Sequence, residues 1–219
     1  MENEIESLVT ELIIEKLQCP GALIADIMQK AVRVECASDA FGYLEGVYSP
    51  SLCELIVCNA KRGKLLARPR KEHTGFKYYF NEKNEIALIS KTHRNIIEYV
   101  ILYERLNNLT VGFLYFLPNG DINEESEIHY VIISKTHNDH TTMYCATSIG
   151  RENVYDDLST QHNMYLRSDV EEYQYAGEKV MKVVVSRRTY SCKEKELKLY
   201  VKNEIDLITG EANLQNLIG

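Results

Sequence analysis

Near residue 53 the hydrophobic period of this chain changes from helical to alternating, and that change constrains the fold more than any other feature. Before it, Ile5, Leu8, Val9, Leu12, Ile13 and Leu17 form one stripe of a helix over residues 2 to about 18. Glu2, Glu4 and Glu6 stand at its start, where the helix dipole favours negative charge. Cys19-Pro20-Gly21 ends that helix, and Pro20 suits the first turn of a second one through Ile24, Ile27, Met28 and Ala31. Val32 to Cys36 alternates well enough to read as a strand. Residues 37–52, with Gly42, Gly46, Ser49, Pro50 and Ser51, read as a long connecting loop.

Beyond residue 53, Val, Ile, Tyr and Phe alternate with polar residues between turn signals spaced by roughly ten residues, the pattern of a mainly β chain. Strands are expected near 53–59, 64–68, 76–80, 85–91, 96–104, 110–117, 127–135, 141–147, 179–187 and 195–202. Turn residues cluster at 61–63, 81–84, 93–95, 107–108 and 118–121, and such short connections join antiparallel neighbours. Thr110 to Leu117 is apolar on both faces and predicts a central strand. Leu197, Leu199 and Val201 alternate with Glu196, Lys198, Tyr200 and Lys202, which places that strand nearer an edge. The polar stretch 150–178 reads as a long loop or short-helix insertion, and 204–218 as a closing helix. Ile89-Ser90-Lys91-Thr92-His93 recurs as Ile133-Ser134-Lys135-Thr136-His137, an echo that fits either a duplicated hairpin pair or two similar approaches to a turn.

Together these readings predict an α+β fold, with N-terminal helices packed on a large curved antiparallel sheet, a meander or half-barrel. The expected organisation is a helical segment and loop over 1–52, a β domain over 53–203 with its insertion at 150–178, and a helix or tail over 204–219, all in one structural domain. A chain of 219 residues buries about 70% of its unfolded surface, so it needs no disulfide or metal to hold it together.

Composition narrows the function classes. The 25 basic and 32 acidic residues give a net charge of −7, which argues against a bulk nucleic-acid binder, since such proteins neutralise phosphates with a basic surplus. No long apolar run occurs, and the acidic N-terminus lacks the positive charge of a signal peptide, so a cytoplasmic protein without membrane contact is expected. Cysteines at 19, 36, 53, 58, 145 and 192 form no C-x-x-C pair and read as reduced thiols, with Cys58 and Cys145 buried in apolar strands.

Three groups of residues carry candidate chemistry. His137, Asp139 and His140, with His93 or His162 as a further ligand, have a metal-like spacing, although Asn-Asp in this position is also ordinary turn chemistry. No metal and no cofactor is expected. Lys61, Arg62, Lys64, Arg68, Arg70 and Lys71, followed by Tyr78 and Tyr79, form the strongest charge feature. Basic groups beside aromatics suit an acidic protein surface or, through residues 61–79, a nucleic acid. Fifteen tyrosines, among them Tyr99, Tyr103, Tyr115, Tyr130 and Tyr144, suit either a recognition surface or half-buried strands. The nucleophile, phosphate-loop, dinucleotide and zinc-protease signatures are all missing, and Glu124, Glu125 and Glu127 lie in an expected exposed turn.

The segment Phe76-Lys77-Tyr78-Tyr79-Phe80-Asn81-Glu82-Lys83-Asn84-Glu85-Ile86, with Ile96 to Tyr103 and Phe113 to Asp121, resembles the aromatic hairpin meanders of bacterial polymorphic-toxin immunity proteins and, more distantly, RHS/YD repeats. The resemblance covers about residues 76–135 and carries no functional residue across. It implies a non-enzymatic, stoichiometric binder of another protein. The alternatives are a small-molecule-binding or enzymatic curved sheet of the NTF2-like or helix-grip kind, which a deep pocket lined with Tyr, His and Glu would favour, and a nucleic-acid-associated protein using residues 61–71.

Overall fold

The computed structural model describes residues 4–39, 51, 53, 61, 63–67, 72–117, 119–122, 126–138, 140–151, 164–194, 196–206 and 212–216. Antiparallel sheet dominates it. Two short helices, α1 (Glu4–Glu15) and α2 (Gly21–Lys30), accompany twelve strands among the described residues. The contacts gather in two compact units, Gln18–Arg105 with Val111–Tyr130, and Met1–Leu17 with Leu106–Thr110 and Val131–Gly219.

The first unit holds α2, β1 (Arg33–Ala37), β2 (Leu65–Leu66), β3 (Gly75–Phe80), β4 (Ile86–His93), β5 (Ile96–Leu106) and most of β6 (Leu109–Phe116). Its strands lie in the order β2-β1-β3-β4-β5-β6, so all but β1 and β2 neighbour each other in chain order. Register aligns Ala37 with Phe76, Phe76 with Lys91, and Lys91 with Tyr99, which puts these four side chains in one row on one face. β6 is buried on both faces from Thr110 to Tyr115, as its two-sided apolar sequence requires.

The second unit holds α1, most of β7 (Ile128–His137), β8 (His140–Arg151), β9 (Met164–Ala176), β10 (Lys179–Ser191), β11 (Glu196–Asp206) and β12 (Ala212–Asn216), in chain order. β9 is a correction to the expected insertion: the polar stretch is strand from Met164 onward, paired with β8 and β10 along its length. Its polar residues occupy a wet face, while Met164, Leu166, Ser168 and Val170 are buried on the other. The closing helix is also corrected, because Ala212–Asn216 pairs with Val201–Ile205 as a strand. The apolar spacing through Leu214 satisfies a helical period, but the open edge of β11 supplies backbone partners that a lone terminal helix lacks. β11 is therefore next to the end of its ladder, near an edge as expected.

Turn chemistry decides where the chain reverses. Arg94 and Asn95 both have positive φ, 49° and 67°, the type I′ geometry whose twist matches that of the flanking strands. Asn84, Asn107 and Asn138 adopt the same left-handed region, which asparagine tolerates better than other side chains. Both copies of the Ile-Ser-Lys-Thr-His echo thus run out into such turns. At the exit of β6, the Gly120 amide donates to the Leu117 carbonyl at 2.9 Å, and Gly120 itself has φ 76°. No helix among the described residues is long and apolar enough to cross a membrane.

Candidate functional site

Of the basic run, Lys61 and Lys64 are exposed, while Arg62, Arg68, Arg70 and Lys71 lie outside the described residues. Tyr78 and Tyr79 point to opposite faces of β3 and both are buried, so neither ring offers a stacking face to a partner. The aromatic doublet beside the basic residues reports a strand covered on both sides. Tyr99, Tyr103, Tyr115 and Tyr144 are buried as well. Of the metal-like turn, His137 is exposed and His140 stacks on Tyr175 with ring centroids 4.7 Å apart, while Asp139 and His162 lie outside the described residues. His93 is exposed at the end of β4. Among the described residues no group of three or more His, Cys, Asp or Glu side chains is placed to hold a metal ion.

What register brings together is a cleft of about 590 Å³ in the first unit. Its floor is an aromatic row. Phe76 meets Tyr99 edge-to-face at 6.3 Å, Tyr99 meets Phe116 at 5.8 Å, and the His129 ring continues the row against Phe116 at 4.8 Å. Phe76 and Tyr99 are buried, Phe116 is partly accessible and His129 is exposed. The Ser126 hydroxyl donates to the Phe116 carbonyl, and the Leu117 amide donates to the Glu98 carbonyl at 2.8 Å, which fixes the end of β6 beside β5. Lys91, aligned in register between Phe76 and Tyr99, lays its Nζ over the Phe76 ring, 4.5 Å from the centroid. Asp39 and Glu98 supply carboxylates to the lining, and Ile96, 58% exposed, forms an apolar rim. Sequence reasoning singled out Tyr99 but not its neighbours, because Phe76, Lys91, Tyr99 and Phe116 meet only through strand register.

A second polar cluster lies under α1 in the other unit. Glu6 is 1% exposed, and among the described residues neither carboxylate oxygen accepts a hydrogen bond and the counter-charge is Arg188 of β10, 3.6 Å away. Arg188 Nε donates to the Ser186 hydroxyl at 3.2 Å. Thr10 spends its hydroxyl on the Glu6 carbonyl and lies 3.8 Å from the Cys192 sulfur. On the sheet below, Thr147 is 2.9 Å from Ser168 and 3.5 Å from the Cys145 sulfur. Burial pushes Glu6 above the usual carboxylate range and the Cys145 thiol up to about 11. A thiol so placed stays protonated and is a poor nucleophile, so the cluster reads as buried polar packing.

Comparison with known proteins gives no match, either to a family model, to a curated protein or to a solved structure.

Proposed function

We propose that this chain is a non-enzymatic binding protein that holds another protein through the cleft of β3 to β6, in the manner of a stoichiometric inhibitor. The observation that carries this reading is the combination in one open cleft of a partly accessible ring, Phe116, an exposed apolar rim, Ile96, and unlike charges on Lys91 and Glu98. Such pockets accept a single anchoring side chain from a partner, and the surrounding contacts exclude water. The resemblance of residues 76–135 to immunity-protein meanders points the same way and coincides with the four strands that build the cleft. A small-molecule ligand is the second reading, favoured by a volume within the roughly 300–1,000 Å³ usual for such sites.

The experiment is affinity capture from the native cell with wild-type protein and with Ile96→Ser. A partner retained by the wild type and lost by Ile96→Ser, with unchanged melting, is the expected outcome. Loss of the apolar contact is expected to weaken binding by about 30-fold, the size of a hot-spot residue. Capture that survives Ile96→Ser and is lost on Lys61→Glu/Lys64→Glu would move the interface to the basic segment.

A further inference from the structure

The cleft already shows which charge its rings receive. Lys91 lays its ammonium on Phe76, and among the described residues it makes no ion pair. The ring quadrupole therefore acts in this fold as the cation's partner. Phe116 is the partly accessible ring of the cleft lining, and Glu98 lines the cleft beside it with an exposed carboxylate that makes no ion pair among the described residues. The lining as a whole carries two carboxylates, Asp39 and Glu98, against the one ammonium of Lys91. The net charge of −7 adds attraction for a cation at longer range.

From this we infer that the cleft takes an arginine side chain presented by a basic segment of a partner protein; the inference rests on the protein-binding reading above and names the chemistry of its anchor. Arginine fits better than lysine. Its guanidinium is planar, weakly hydrated and able to lie on a ring while its edge pairs with a carboxylate, and it spreads its charge away from the Lys91 ammonium. The aliphatic stem finds apolar surface at Ile96 and Ile97. Lys91 is then a like charge that tunes affinity downward, an assignment opposite to the one a carboxylate ligand would give it.

The test uses the full chain with labelled isoleucine methyl groups and N-acetyl-arginine amide as probe, read by the methyl shifts of Ile96 and Ile97. Saturable shifts confined to these two methyls are expected. The neutral isostere N-acetyl-citrulline amide should bind at least about fivefold more weakly, because it keeps the shape and loses the charge. Glu98→Gln, an exposed substitution that leaves the fold intact, should weaken arginine binding by about threefold, and Lys91→Met should strengthen it by about twofold. Equal binding of citrulline, preferred binding of N-acetyl-glutamate amide, weakening by Lys91→Met or an absence of saturable shifts each overturns the inference. If arginine fails while partner capture still depends on Ile96, the anchor chemistry falls and the protein-binding reading stands; if capture ignores Ile96, the reading itself falls.

Discussion

Glu6 is the residue at which this protein departs furthest from ordinary packing. A buried carboxylate with no hydrogen bond among the described residues and Arg188 as its counter-charge loses hydration that the ion pair returns in part. The charged and titratable groups around it are Arg188 and Tyr190 on β10, Cys145 on β8 and, beside Thr10, Cys192. Its folded pKa is raised above the ordinary value of 4.5, so the folded state holds the proton more tightly than the unfolded chain does. The stabilisation by that proton is fully present below 4.5 and is lost as pH rises through the elevated folded value. Glu6→Gln, which keeps the shape and removes the charge, is therefore expected to raise stability near neutral pH and to have a smaller effect near pH 4.5. Urea denaturation of both proteins across this range checks it; a difference that is constant with pH, or that grows toward acid, contradicts the assignment. Arg188→Met should act in the opposite direction at neutral pH and cost roughly 3–5 kcal/mol, since it leaves the carboxylate buried without a counter-charge.

At the scale of elements, Gly75 sets the approach of β3 to β1. Its φ is 144°, and a methyl group there would meet the Ala37 carbonyl oxygen at 2.1 Å. That neighbour is backbone within a paired strand and cannot swing aside. Gly177, in the β9–β10 turn, also has positive φ, 62°, but among the described residues nothing lies within 4 Å of the same methyl position. Gly177→Ala is thus expected to cost about 1–2 kcal/mol from the left-handed backbone alone, whereas Gly75→Ala adds a collision and should cost roughly 3 kcal/mol or more. Chemical denaturation of the two variants compares them directly, and equal losses would show that β1 yields. The turns that separate these strands were readable from sequence because residues such as Asn84, Asn95 and Asn107 are chosen for local backbone reasons. β9 was not, since its Glu, Asp and Arg side chains resemble a loop until burial of Leu166 and Val170 on the far face is known. Residues 212–216 were misread because apolar spacing over a few residues fits two periods, and pairing with β11 selects one. Of the cleft, Tyr99 alone stands out in the sequence as a candidate recognition residue. Phe76, Lys91, Tyr99 and Phe116 span forty residues of chain, and no local pattern states which of them register will align.

For the whole molecule, the acidic balance governs encounter more than it governs the fold. A net charge of −7, with Asp39 and Glu98 in the cleft, is expected to speed association with a basic partner and to leave its escape nearly unchanged. Raising salt from about 50 to 500 mM, which shortens the screening length to a few ångströms, should therefore lower the association rate by about tenfold or more while the dissociation rate changes little. Stopped-flow mixing with the captured partner measures both rates, and an association rate indifferent to salt would contradict a role for the net charge in encounter. The same charge balance has a clock attached to it. Asn119-Gly120 is a sequence prone to deamidation, in which the glycine nitrogen attacks the preceding side-chain amide, closes a succinimide and leaves an aspartate or isoaspartate behind. Here that nitrogen already donates its hydrogen to Leu117, and a Cβ on Gly120 would collide with Ile96. Closing the ring means breaking the turn beside Ile96, so the fold is expected to slow its own ageing there, and with it the backbone lengthening that an isoaspartate would bring to the rim of the cleft.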